Sequence, residues 1–230
     1  MQLARKLALT LPLAFLLLPA RPVYAADQLK RVLHQLDEAA KNFHTASADF
    51  EFKNIQTEPV PDTDVMTGTV YYQHKGHDFQ MAAHIAQENN QPSPKVYTYS
   101  SGVFQLYDGR LDQVRKLKDN GSFGSYLMLG FGASGKELQD KWNITYLGEE
   151  TLNGVKTDKL ELIAKDPKVL RLFPSVIIWI DPTRAVNLKQ VFDEGEGMTR
   201  VCTYSNIQVD RPIPAENFTL KTDRKTTYVN

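Results

Sequence analysis

A glycine-rich stretch near the middle of the chain has the spacing of a phosphate-binding loop. Residues 130–136 read Gly-Phe-Gly-Ala-Ser-Gly-Lys, which satisfies G-x-G-x-x-G and the start of a nucleotide-binding loop. In such loops, backbone N–H groups at the start of a helix bind phosphate. Here, however, Glu137 occupies the position of the Ser or Thr that holds Mg²⁺, and its carboxylate would repel phosphate. We therefore interpret the match as chance and the glycines as hinges.

Three histidines are the other residues whose spacing suggests a chemical role, in this case metal binding. His74 and His77 flank a predicted turn, and His84 follows them, but a metal site would need further ligands from elsewhere. Exposed turn histidines are the favoured interpretation. Asp49 and Glu51 share one face of a predicted strand, without a marked carboxylate partner across a cleft. The sequence also lacks G-x-S-x-G, H-E-x-x-H and Cys-His patterns. We predict no enzyme, no catalytic residue, no metal and no cofactor.

The N-terminus has the features of a secretory signal peptide. A basic pair precedes the apolar run 7–18, and Val23-Tyr24-Ala25 resembles a cleavage site. We predict cleavage of residues 1–25 after Ala25, which leaves residues 26–230 as a single exported domain.

Charge and cysteine content narrow the class of protein further. The 27 basic and 27 acidic residues balance, and removal of the basic signal makes the mature chain slightly acidic. Such a surface argues against nucleic acid as a partner. Cys202 is the only cysteine, so an internal disulfide is excluded.

Hydrophobic periodicity predicts one long helix followed by β structure. Residues 28–43, with Asp27 as the N-cap, carry apolar residues at helical spacing. From Ala46 onward the period becomes two, which predicts about nine to eleven antiparallel strands connected mostly by short hairpins. Residues 176–180 are apolar at every position, so both faces of that strand must be covered.

A long antiparallel sheet must twist and curl, and its concave face needs a cover. The helix and the apolar, glycine-containing segment 123–142 are the two elements suited to this role. The pattern is typical of an apolar cavity closed by a lid, but it equally allows a filled core. The fold class is therefore mainly β (α+β), an incomplete barrel covered by an N-terminal helix and a lid segment. The candidate acyl-binding residues are apolar side chains of the strands, helix and lid: Leu33, Leu36, Phe50, Phe52, Tyr72, Phe79, Met81, Leu127, Met128, Leu129 and Trp179.

Several motifs, in this order and spacing, resemble the periplasmic outer-membrane lipoprotein carrier family, whose fold is called LolA-type. They are the helix start and first strand (residues 29–50), GTVYYQHKGHDFQM (68–81), SSGVFQLYD (100–108) and WIDP with LKQVFDEGEGMT (179–199). The resemblance covers essentially all of the mature chain.

The resemblance implies a strongly curved half-barrel with helices over its mouth. It implies a monomeric periplasmic carrier that binds lipoprotein acyl chains and escorts them from an inner-membrane ABC-type releasing complex to an outer-membrane receptor. Where the family has an arginine that holds the lid closed, this chain has Lys75, followed by Gly76 where the family has proline. Lysine keeps the charge without the forked geometry of arginine. Lys75 is thus a candidate for lid control. The alternative is a lipid-binding or lipid-sensing regulatory module on the same fold.

Overall fold

The computed structural model describes residues 22–75, 78–118, 129 and 131–229. Its long helix, α1 (Pro22–Ala40), buries Val32 and Leu36 on the face that carries the apolar residues. The predicted N-cap, Asp27, lies inside the helix, since α1 already includes Pro22. Proline is tolerated there because the N–H groups of a first helical turn have no intrahelical partner. The helix ends at Ala40 rather than at Phe43, where the chain turns toward the first strand.

The described residues form twelve strands, which alternate apolar and polar residues over much of their length. The strands are β1 (Thr45–Gln56), β2 (Asp62–Lys75), β3 (Asp78–Glu88), β4 (Gln91–Ser100), β5 (Val103–Asp108), β6 (Gln113–Lys118), β7 (Trp142–Leu152), β8 (Val155–Ala164), β9 (Ser175–Asp181), β10 (Val186–Gly195), β11 (Met198–Val209) and β12 (Thr227–Val229). Two short α-helices, α2 (Gly135–Lys141) and α3 (Pro167–Leu172), and a 3₁₀ helix (Ala215–Phe218) complete the described elements.

All twelve strands belong to one sheet, in the order β12-β6-β5-β4-β3-β2-β1-β11-β10-β9-β8-β7. Every pairing is antiparallel except that of β12 with β6. The sheet is curved and remains open, because β7 and β12 lie at its two edges. The predicted fold class, mostly β with an N-terminal helix, is confirmed.

One connection differs from the prediction. The prolines at 92 and 94 predict a loop over residues 87–94, but β3 and β4 are joined by a tight turn at Asn89 and Asn90, both with positive φ (50° and 61°). Pro92 is accommodated within β4, opposite Gln87, at a register shift in the pairing with β3.

The concave face of the sheet carries two hydrophobic clusters. The first lies over β7–β9, where α1 and α2 cover fully buried residues that include Leu160, Val176 and Ile178. The second lies over β1–β3, β10 and β11, with Phe131 fully buried within it. None of the described helices combines the length and the apolar composition needed to cross a membrane.

A partly buried ion pair links α1 to the sheet. The Arg31 guanidinium donates from Nη2 to Asp158 Oδ1 at 2.6 Å, and the Tyr146 hydroxyl donates to the same oxygen at 3.2 Å. The Asp158 side chain is only 6% exposed. Because a buried carboxylate is costly without partners, these bonds define where the helix lies.

Candidate functional site

The second hydrophobic cluster borders a cavity of about 400 Å³ on the concave face. Its wall comes from alternate residues of neighbouring strands, since side chains two positions apart point to the same face. The lining residues are Phe50, Phe52, Asn54, Met66, Val70, Tyr72, Met81, Ala83, Ile85, Tyr97, Phe104, Phe173, Gln190, Phe192, Arg200, Cys202 and Tyr204. Most are aromatic or aliphatic, so the cavity suits an apolar ligand.

Four of the candidate acyl-binding residues lie together on this wall. Phe50 and Phe52 come from β1, Tyr72 from β2 and Met81 from β3. Phe50 and Phe52 are half-buried, whereas Tyr72 and Met81 are buried. Their binding role remains a prediction.

Other candidates lie in the core and not on the cavity wall. Leu36 and Leu129 belong to the first hydrophobic cluster, and Leu33 contacts α2, where a Cβ at Gly135 would lie 2.2 Å from the Leu33 carbonyl oxygen. Phe79 is also buried, with its ring centroid 5.9 Å from that of Tyr72.

Trp179 lies on the opposite face of the sheet. Its indole N–H donates to Glu150 Oε2 at 2.7 Å, and the ammonium groups of Lys159 and Lys189 lie 4.6 and 4.5 Å from its ring centroid. Its neighbours Ile178 and Ile180 face the helices instead. Trp179 therefore contacts charged side chains on the face of the sheet that is away from the cavity.

Leu127 and Met128 lie outside the described residues. The backbone of Lys75 ends β2, but its side chain is also outside the described part of the structure. Its assignment to lid control therefore stays a prediction, as does the lid itself.

The cavity wall also carries polar groups, which the apolar pattern of the sequence does not predict. The Tyr204 hydroxyl donates to Gln190 Oε1 at 3.3 Å, and Gln190 Nε2 in turn donates to the Leu129 carbonyl. Asn187 Nδ2 donates to the same carbonyl at 3.3 Å. This chain of hydrogen bonds ties Leu129 to the cavity wall. Strand parity could have found Gln190, because it shares the inward face with Phe192.

Burial raises the pKa of three ionisable groups on the cavity wall. It raises the pKa of the Cys202 thiol to about 12, against a smaller opposing effect of a hydrogen bond with Tyr204. It also raises the pKa of the hydroxyls of Tyr204 and Tyr72, and the neighbouring Cys202 adds to both shifts. All three groups are therefore neutral at physiological pH, so the innermost part of the cavity carries no charge from them.

The glycine-rich stretch has a structural role. The Ser134 hydroxyl accepts from Glu137 N at 3.2 Å, and the Glu137 carboxylate accepts from Ser134 N at 2.9 Å, which is a capping box. Lys136 N donates to Asp37 of α1 at 3.0 Å. Protein groups thus already occupy the start of α2, in agreement with the interpretation that the phosphate-loop match is chance.

Phe131 connects this stretch to the cavity wall. Its ring stacks on Tyr72 with centroids 4.2 Å apart and meets Tyr204 edge-on at 4.9 Å. Gly132 follows with φ +73°, and a Cβ there would lie 2.4 Å from Phe43 Cδ1. Glycine is therefore required at this position.

His74 and His84 lie apart from the cavity wall. His74 is half-buried between the rings of Phe43 and Phe79, each 5.6 Å away, and not exposed as we expected. Burial lowers its pKa. His84 Nε2 donates to the Asn217 carbonyl at 2.8 Å, which holds the 3₁₀ helix on β3. His77 lies outside the described residues, and the described ones contain no cluster of three metal-binding side chains.

Comparison with known proteins assigns the chain to a family and relates its fold to solved structures. A protein-family model whose description reads "Uncharacterized protein" matches residues 104–228. The uncharacterized protein MJ0687 of Methanocaldococcus jannaschii is 23% identical over 168 residues, which cover 72% of this chain and 46% of MJ0687. The chain thus spans about half the length of this curated relative.

Three solved structures illustrate the likeness of fold. An uncharacterized conserved protein from Thermus thermophilus has a TM-score of 0.55 and 10% identity, and the match covers 88% of this chain and 98% of that one. The MucA/MucB complex of Pseudomonas aeruginosa contains a chain with a TM-score of 0.50 and 11% identity, at 84% and 61% coverage. The LolA superfamily protein NE2245 from Nitrosomonas europaea has a TM-score of 0.43 and 13% identity, at 84% and 97% coverage.

The resemblance suggested by the sequence motifs is confirmed at the level of the fold. Because the family model matches residues 104–228, more than half of the 230 residues, the chain belongs to that family, and it shares its fold with the Thermus thermophilus protein and with a chain of the MucA/MucB complex.

Proposed function

We propose that this protein binds an acyl chain in the cavity and carries it, as a lipid or as part of a lipoprotein, through an aqueous compartment. The observation that carries this proposal is the wall itself, in which aromatic and aliphatic side chains converge on a cavity of about 400 Å³. Met66 and Met81 suit such a role, because flexible thioether side chains adapt to ligands of varied shape.

The energetics require a cavity of this kind. Moving an acyl chain of about 16 carbons into water costs roughly 12 kcal/mol at about 0.8 kcal/mol per methylene. A carrier must return most of that free energy by contact with its wall. The volume lies in the lower part of the range of roughly 300–1,000 Å³ for small-molecule sites, which suits one chain better than three.

The finer proposal is an exported, monomeric carrier. In it, residues 1–25 direct export to the periplasm, an inner-membrane ABC-type complex supplies acylated lipoproteins, and an outer-membrane receptor accepts them. The LolA-like fold supports this scheme. The proposal assigns binding to the cavity and no catalysis.

A second candidate is a lipid-sensing regulatory module. It is favoured by one neighbour in fold, MucB, which was crystallised in complex with MucA. On this alternative, acyl binding would change the affinity for a protein partner, and no cargo would reach a membrane.

A release assay separates the two. The full chain is produced in its own host, purified and added to inner-membrane vesicles, and lipoproteins in the soluble fraction are quantified. The carrier proposal expects soluble one-to-one complexes, and a variant that fills the cavity, Ala83→Trp, should not form them. A protein that retains a free lipid without releasing any lipoprotein would support the sensor instead. Absence of any bound lipid or lipoprotein would contradict both.

A further inference from the structure

One part of the cavity wall is polar and charged. Asn54 of β1 and Arg200 of β11 lie opposite each other in the strand pairing, and both side chains line the cavity. Arg200 is the only charged residue among the described residues of the wall. A guanidinium on an otherwise apolar wall calls for an explanation, since charges are costly next to apolar surface.

The N–H donors of the Arg200 guanidinium make no hydrogen bonds to the described residues. Its Nε lies 2.7 Å from Glu194 Oε1, but the alignment is not that of a hydrogen bond, so this contact is an ion pair by distance only. Its Cζ lies 5.8 Å from the ring centroid of Phe173, another wall residue. The terminal nitrogens donate to none of the described residues, and 41% of the side chain is exposed.

Asn54 is also incompletely bonded. Its Oδ1 is buried without a hydrogen-bond partner among the described residues. Buried polar atoms are nearly always paired, so the Asn54 amide keeps unused hydrogen-bonding capacity beside the cavity. An amide can turn by half a rotation and present its NH₂ at the same place, so Asn54 can donate to an acidic group there.

We propose that Arg200 and Asn54 bind the acidic head group, a carboxylate or a phosphate, of an acyl-chain ligand whose tail lies along Phe50, Phe52 and Met81. This inference rests on the proposed function and adds a chemical class to its ligand. The planar fork of arginine matches the two oxygens of such a group, and Phe173 helps to hold the fork in place. A neutral head group would leave these donors without an acceptor.

The test compares ligands that share a tail and differ in the head. Dodecanoate, dodecyl phosphate and methyl dodecanoate are titrated into the delipidated full chain by calorimetry, below their aggregation concentrations. At least one acid should bind about tenfold or more tightly than the ester, as expected for a charge-assisted hydrogen bond. The two acids distinguish carboxylate from phosphate lipids. Inorganic phosphate alone should not bind, because the tail supplies most of the affinity.

Two variants assign the preference to Arg200. Arg200→Met keeps an unbranched apolar stem and should bind acids and ester equally, with unchanged affinity for the ester. Arg200→Lys keeps the charge without the fork and should retain part of the preference, which also covers the case that Arg200→Met does not fold. Arg115→Met, on exposed Arg115 of β6, is the matched control and should behave as the wild type.

The outcomes are distinct. If the wild type binds ester and acids equally, or if Arg200→Met keeps the preference for acid, the head-group site is wrong while the acyl cavity stands. Tight binding of inorganic phosphate would also overturn it, because the site would then recognise a free anion. Failure of all three acyl ligands to bind would overturn the proposed function and the head-group site together.

Discussion

The two halves of the concave face are built from the same alternation of residues, yet one is filled and the other encloses a cavity. Over β7–β9, the side chains of Leu160 and Ile178 are fully buried beneath α1 and α2. Over β1–β5, the equivalent inward positions, such as Phe50 and Phe104, face the cavity. The strand pattern therefore determines which face is apolar, whereas the cover determines whether that face becomes core or site.

The largest expected effect concerns the reactivity of Cys202 on the cavity wall. Its pKa of about 12, against about 8.5 for a free cysteine, makes the thiolate on the order of a thousandfold scarcer near neutral pH. The rate of modification by a small alkylating reagent should rise tenfold per pH unit from pH 7 to 10 in the folded protein. The same chain in denaturant should level off above about pH 9. A folded protein that levels off like the unfolded chain would mean that water reaches this wall freely.

The same shifts have a consequence for stability. Cys202, Tyr72 and Tyr204 have raised pKa values, so the folded state holds their protons more tightly than the unfolded state does. Their contribution is complete below the unfolded pKa values and is lost as the pH rises beyond them. The free energy of unfolding should fall above about pH 9, and less so in Tyr204→Phe.

Truncation of one side chain in each half of the concave face tests whether one half is tightly packed and the other is not. Leu160→Ala should lower the free energy of unfolding by about 2–5 kcal/mol, because it opens a void in a filled core. Met66→Ala removes a comparable volume from a half-buried wall residue and should cost less than about 1.5 kcal/mol. Denaturant titration of both variants measures the difference. Equal losses would show that the two halves are packed alike.

Two glycines with similar backbone angles test how closely Gly132 packs against Phe43. Gly132→Ala should destabilise by about 1–3 kcal/mol more than Gly154→Ala. Both have φ near +75°, but a Cβ at Gly154 meets nothing within 4 Å, whereas one at Gly132 meets Phe43. Equal melting temperatures for the two variants would argue against the tight contact at Phe43.

The smallest expected effect concerns the ion pair beneath α1. Arg31→Gln should cost about 1–2 kcal/mol, because the nearly buried Asp158 loses its charged partner but keeps the hydrogen bond from Tyr146. Lys41→Gln breaks the exposed pair with Glu38 and should cost less than Arg31→Gln, because water screens that pair. Thermal unfolding of the two variants checks this order, and a reversed order would contradict the anchoring role of Arg31.

Much of the fold follows from local patterns. Alternation in β1, helical spacing in α1 and glycine turns such as Gly195 to Gly197 each depend on near neighbours, and the structure has these elements. The strand β12 was not predicted, because a three-residue strand gains its order from pairing with distant β6. Local sequence carries little information on such a partner.

The candidate site was harder to predict, for a physical reason. In β9 every residue from Val176 to Ile180 is apolar, so the sequence does not indicate that Trp179 faces away from Ile178 and Ile180, toward two lysines. Apolar character alone does not identify the polar residues Gln190 and Arg200 as part of the wall. Gln190 lies two positions from the wall residue Phe192, and Arg200 lies two positions from the wall residue Cys202, so each side chain points to the face that lines the cavity.

The most direct test of the central claim is the mass of the native protein. The full chain is purified without detergent from its own host and analysed by native mass spectrometry, beside Ala83→Trp, which fills the cavity, and Ser205→Trp, which adds the same bulk at an exposed residue of β11. We predict one bound acyl lipid in the wild type and in Ser205→Trp, and none in Ala83→Trp. Lipid retained equally by all three proteins, or absent from the wild type, would contradict the assignment of the cavity as an acyl-binding site.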